Sequence, residues 1–132
     1  MSNYSNYLEE KVLQHFFGGT AQAAPSDLYV ALYVSDPTES DKGTEVNGAN
    51  YVRQKIAFGT VGTSGTKSLV SNVGVITFPQ AGGSWGTITH FAIRDAETGG
   101  NLLSYAPLSV SKSIGAGDRM EFPIGGITVT LD

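Results

Sequence analysis

The chain has 132 residues, eight Lys and Arg against twelve Asp and Glu for a net charge of −4, no cysteine, and only 15% charged residues. That length suits one domain over residues 1–132, able to bury about two-thirds of the surface the unfolded chain exposes without a disulfide or a metal. No Lys or Arg cluster is present to neutralise phosphates, and no apolar stretch is long enough to span a bilayer, so neither nucleic acid nor membrane is an expected partner.

Met1-Ser2-Asn3-Tyr4 carries no basic segment leading into an apolar run, so the chain is expected to be made in the cytoplasm. The first predicted element is a helix over about 6–17. Asn6 and Glu9 have the spacing of a capping box, and Leu8, Val12 and Phe16 recur at i, i+4 and i+8, with Leu13 and Phe17 widening the stripe. Glu9 and Glu10 sit where the helix dipole favours acids, and Gly18-Gly19 ends the helix, with Gly18 expected in the left-handed conformation. The stripe either packs on the domain's own sheet or docks on a neighbouring subunit.

From Leu28 the hydrophobic period changes from 3.6 to 2. Leu28, Val30, Leu32 and Val34 alternate with Tyr29, Ala31 and Tyr33, which predicts a strand covered on both faces. Further strands are predicted near 51–58, 73–78, 87–95, 102–106, 110–114, 119–122 and 127–131, about eight in all over a β region of 27–132. Glu97-Thr98-Gly99-Gly100-Asn101 predicts a hairpin turn between 87–95 and 102–106, and Gly115-Ala116-Gly117-Asp118 a second turn. Pro79, Pro107 and Pro123 are expected at strand ends. These elements specify a mainly β fold, a two-sheet antiparallel β-sandwich with one short N-terminal helix and with the jelly roll as one available topology.

Residues able to carry chemistry are few. His15 lies in the helix, and His90 is placed by alternation with Ile88, Ala92 and Arg94; no Gly-x-Ser-x-Gly elbow accompanies them, so no catalytic residue is assigned. Two histidines without a thiol fall short of structural zinc. Asp36, Glu39, Asp41 and Glu45 share a ten-residue loop with Lys42, a spacing that suits a solvated loop and does not match an EF-hand. Gly59 to Ser68 departs from a phosphate-binding loop because Thr66 separates Gly65 from Lys67, and it reads as a flexible connector. Neither a metal nor a cofactor is expected. Trp85, in Gly82-Gly83-Ser84-Trp85-Gly86, either plugs the end of the sandwich or stacks on a sugar.

Several strings resemble a family of small tailed-bacteriophage virion proteins commonly labelled tail-fibre-like. They are Ser2-Asn3-Tyr4 with Tyr7-Leu8-Glu9, Leu28 to Tyr33 running into Ser35-Asp36-Pro37-Thr38, Gly43-Thr44-Glu45-Val46 before Tyr51-Val52-Arg53-Gln54, Trp85 to Asp95, and Thr98 to Leu103. The resemblance implies a non-enzymatic virion component. Heptads, collagen-like triplets and β-helical repeats are absent from the sequence, which favours a compact knob over a fibre shaft. The leading expectation is therefore a capsid decoration or cement protein, a symmetric homo-oligomer on the major capsid protein. A tail-fibre, baseplate or tail-attachment module bound to tail proteins is the alternative, and a glycan-binding host-recognition module using Trp85 is the alternative of another class. The expected contact residues are Tyr4, Tyr7, Leu8, Val12, Phe16 and Phe17 on the N-terminal arm and Asp36, Pro37, Glu39 and Glu45 in the loop 36–50.

Overall fold

A strand whose side chains are apolar on both faces must be covered on both, and Leu28–Tyr33 (β2) stands inside a five-stranded antiparallel sheet accordingly. The computed structural model describes residues 3–132; Met1 and Ser2 lie outside the described residues. The sheet runs β1 (Asn3–Tyr4), β8 (Leu102–Ile114), β7 (Gly86–Arg94), β2, β3 (Gln54–Ile56). A three-stranded ladder joins β10 (Thr128–Leu131), β5 (Lys67–Ser71) and β4 (Gly62–Ser64), and a two-stranded one joins β6 (Ile76–Thr77) to β9 (Glu121–Phe122). The single helix among the described residues, α1 (Asn6–Phe16), precedes β2. The result is a mainly β, sandwich-like fold and not a closed barrel.

Val30, Leu32 and Ile93 of the large sheet meet Ile76, Phe78, Phe122 and Ile127 from the facing ladders in one apolar core. Tyr51, Phe78, Phe91, Phe122 and Trp85 are linked by ring contacts across it, with Tyr51 stacked on Phe78 and edge-on to Trp85 at 5.5 Å. Ala31, Tyr33, Ala92, Leu102 and Tyr105 form a second, smaller cluster on the opposite side of the sheet. Trp85 is 4% exposed and its Nε1 donates to Ala49 O at 2.9 Å, so it fills the core and offers no ring face to a sugar.

The turn 97–101 forms as expected, with Gly99 at φ 62° and Gly100 at φ 69°. At Gly100 a Cβ would stand 2.6 Å from both Ala96 Cβ and Asp95 Oδ1, so the tight return of the chain admits glycine alone without rearrangement.

Among the described residues there are ten strands where about eight are expected. The additional β1 is two residues long, and β4 and β5 form a hairpin through Gly65 (φ 64°) and Thr66, in the segment read as a connector. That hairpin is small, and the apolar residues of its strands, Leu69 and Val70, are adjacent, so it carries no apolar alternation. The two strands predicted at 102–106 and 110–114 are one, β8, which passes through Pro107. Between the pairs His90↔Pro107 and Ile88↔Lys112 a single residue, Thr89, faces four, Leu108 to Ser111, so β8 bulges where the proline cannot donate. The same irregularity breaks the expected alternation of His90 with Ile88: Ile88 joins Phe91 and Ile93 at the main core.

Replacing Trp85 with Ala is expected to lower the unfolding free energy by about 3–5 kcal/mol, read from urea denaturation. Replacement with Phe, which keeps the ring contact with Tyr51, should cost distinctly less.

Candidate functional site

The helix starts one residue earlier in its capping than the Asn6–Glu9 spacing suggests. Ser5 is the N-cap: its Oγ accepts from Leu8 N at 3.1 Å and donates to Leu102 O. Ser5 N donates to Leu103 O and Asn6 N to Glu39 O, both at 2.9 Å, so the first turn is held to β8 and to the loop 36–50. At the other end Phe17 N and Gly18 N both donate to Leu13 O, and it is Gly19, at φ 71°, that turns left-handed. The chain then returns along the helix, where Gln22 N donates to His15 Nδ1 at 3.1 Å.

Anchored in this way, α1 buries none of its residues. Val12 is 40% exposed, Leu13 59%, Phe16 72% and Phe17 82%, and Leu131 at the end of β10 is 61% exposed. The stripe therefore does not close on the domain's own sheet. Leu8 and Val12, one turn apart, stand between two hollows and line both, and Phe16 continues along the edge of the first. One, about 290 Å³, is lined by residues including Tyr7, His15, Pro25 and Leu103; the other, about 350 Å³, by Tyr4, Glu9, Leu13 and Leu131. The Tyr4 hydroxyl is buried without a hydrogen-bond partner among the described residues, and burial pushes its pKa up.

The loop 36–50 is of a different kind. Arg94 grips Asp41 with both Nη atoms at 2.9 Å, donates to Tyr33 Oη at 2.8 Å and reaches Gly100 O. Arg53 makes a second two-pronged pair with Glu45, at 2.7 and 2.8 Å, and its Nη1 donates to Ala96 O and Gly99 O. Tyr51 Oη donates to Glu45 Oε2 at 2.6 Å and accepts from Leu32 N. Burial alone would raise the Glu45 pKa, but hydrogen bonds from Arg53 and Tyr51, with the charges of Arg53 and Arg94, outweigh it and hold the carboxyl below its ordinary value. Burial pushes the Tyr51 hydroxyl up, and the carboxylate it faces pushes it further.

The expected contact residues thus divide. Leu8, Val12, Phe16 and Phe17 share the open helix face, with Tyr4 and Tyr7 half-buried at its hollows. Asp36 and Glu39 are exposed in the loop. Pro37 is buried, and the half-buried Glu45 is taken up by Arg53 and Tyr51, so these two serve chiefly to build the loop. Leu13 and Leu131 belong to the open face and are additions to the expected set. Arg53 and Arg94 are additions too; Arg94 stands in an apolar strand and Arg53 just before a short one, with four acids in the loop between 36 and 45 to pair with. His90 Nδ1 lies 2.8 Å from the Thr89 hydroxyl, on a different element from His15.

The family model of podophage GP4 fiber I protein gp80 matches residues 3–130. The chain belongs to this family. No curated protein matches it. As a member of the gp80 family the chain is a structural component of the phage virion, and the fibre label agrees with the resemblance read from Leu28 to Tyr33 and Trp85 to Asp95.

Because the folded-state pKa of Glu45 lies below its unfolded value, the stability this site supplies is complete above the ordinary glutamate value of 4.5 and is lost as pH falls through the lower folded value. Glu45→Gln should cost about 2–4 kcal/mol at neutral pH, somewhat less than breaking a fully buried pair since the carboxylate keeps some solvent contact. The difference from wild type should shrink as denaturation is repeated at decreasing pH below 4.5.

Proposed function

We propose that this chain is a non-enzymatic assembly module of the virion, a globular fibre-associated domain that joins its neighbours through the open face of α1. The observation that carries this reading is the contrast within one molecule. The loop 36–50 pairs its own charged groups, and the apolar residues exposed elsewhere, such as Val61, Val110 and Ile124, lie on different segments, while Val12, Leu13, Phe16, Phe17 and Leu131 stay exposed on and beside one helix. A patch of that size on a small protein marks a contact surface. The fibre family supports a place at the tail.

A second reading keeps the same surface and moves the protein to the shell. A β domain without a shaft-forming repeat suits a knob that decorates the capsid in many symmetric copies, stabilising the shell because it binds only the assembled state. The buried Trp85 removes the basis for the glycan-binding alternative.

Antibody labelling of intact particles, with gel densitometry of the chain against the major capsid protein, separates the two. The fibre reading expects label at the tail and a small symmetric copy number; label over the whole shell at high copy would replace it with decoration. A chain missing from purified particles would overturn both. Phe16→Asp with Phe17→Asp is expected to fold normally and to be lost from particles.

A further inference from the structure

We infer that Arg94 is the positioning residue of the open face: its guanidinium clamps together the two supports of the first turn of α1, and so sets where Val12, Leu13, Phe16 and Phe17 stand. For its consequence in the particle the inference rests on the reading of this face as an assembly surface.

The first turn of α1 is held from two sides. β8 takes Ser5, whose N donates to Leu103 O and whose Oγ donates to Leu102 O. The tip of the loop 36–50 takes Asn6, whose N donates to Glu39 O at 2.9 Å and whose Nδ2 lies 3.5 Å from Ser40 Oγ. Neither support lies in the middle of the sheet: one is the tip of a loop, and the other is the start of a strand, directly after the turn 97–101. Each needs a tie of its own to stay in place.

Arg94 ties both. Two residues on from Glu39, the Asp41 carboxylate accepts from both Nη atoms at 2.9 Å. Two residues before Leu102, Gly100 O accepts from Nη2 at 3.0 Å, and Gly99 O lies 3.3 Å from Nε. Tyr33 Oη, from β2, accepts from Nη1 at 2.8 Å and fixes the guanidinium to the sheet. Arg94 is 6% exposed, so its charge depends on these acceptors, and a planar fork of five donors reaches all three segments at once. Asp41 stands at φ 58°, a strained conformation that its bonds to Arg94 hold in place.

Arg53 supplies the contrast. It makes the second two-pronged pair of the same loop, with Glu45, yet Glu45 lies beyond the tip and is already bridged to Tyr33 through the backbone. Loss of that pair leaves the tip clamped.

The test is ¹⁵N relaxation on the full chain, comparing wild type with Asp41→Gly, Asp41→Asn and Glu45→Gln. Glycine and asparagine both accept a positive φ, so the loop backbone keeps its course in the two Asp41 variants. Order parameters over Asn6–Phe16 are expected to fall from about 0.85 to below about 0.6 in Asp41→Gly, and less far in Asp41→Asn, which keeps one acceptor, while β2 and β7 stay at the wild-type value. Glu45→Gln should leave α1 as rigid as in wild type. Asp41→Gly, with every residue of the open face intact, should enter particles several-fold less than wild type. An unchanged α1 in Asp41→Gly, an equal loosening in Glu45→Gln, or a loss of order in β2 and β7 together with α1 in both Asp41 variants overturns the inference. If α1 alone loosens and particle uptake is nonetheless normal, the clamp stands and the reading of the face as an assembly surface falls.

Discussion

Coverage of β2 on both faces is the constraint from which the rest of the structure follows. Val30, Ala31 and Leu32 are fully buried. On one side the demand is met by apolar side chains, Ile76, Phe78, Phe122 and Ile127, brought over by the smaller ladders. On the other side Tyr33 brings a hydroxyl into a buried position, and a buried hydroxyl without a partner costs more than its hydrogen bond would gain. Arg94 supplies the partner, which in turn buries a guanidinium that needs a carboxylate and further acceptors. Asp41 and the Gly100 carbonyl meet that need. The requirement that starts at β2 therefore draws the loop 36–50 and the turn 97–101 onto the sheet and holds them there.

Arg53 extends the same logic. Its pair with Glu45 and its bonds to Ala96 O and Gly99 O tie the entry to β3, the loop and the turn into one network. The loop is shaped as well as pinned: Thr38, Asp41 and Asn50 take positive φ, and a Cβ at Gly43 would meet Pro37 Cα at 2.6 Å. Against this closed frame α1 is fixed at its start by Ser5 and Asn6 and braced near its end by the returning chain through Gln22 and His15, so its stripe projects with its position set and its surface free. Rigid mounting limits the ordering cost that a contact must overcome when a partner arrives.

Much of this is legible in the sequence, and the parts that are not share a cause. The two-sided alternation of Leu28 to Val34, the glycine turn at 97–101 and the helical stripe from Leu8 to Phe17 are local patterns, and each forms where local chemistry puts it. The β4–β5 hairpin lacks apolar alternation because β4 is Gly, Thr and Ser and the two apolar residues of β5, Leu69 and Val70, are adjacent; its outer partner, β10, is some sixty residues away. Pro107 reads as a strand end because a ladder position needs a donor, and only the bulge opposite Thr89 lets β8 continue through it. Pro37 and Glu45 read as surface because prolines and acids of loops usually are; the fold of the loop buries Pro37 under Lys42 and Gly43, and Arg53 with Tyr51 draws Glu45 half out of solvent. The openness of the α1 stripe likewise depends on what the sheet leaves uncovered, which periodicity does not record.

Hydrogen–deuterium exchange on the free protein and on intact particles tests most directly the division between a closed frame and an open helix face. The amides of β2 and β7 should be strongly protected in both states. Those of α1, from Asn6 to Phe16, should exchange readily in the free chain and become strongly protected in the particle. Equal exchange of α1 in the two states would contradict the assignment of this face to assembly.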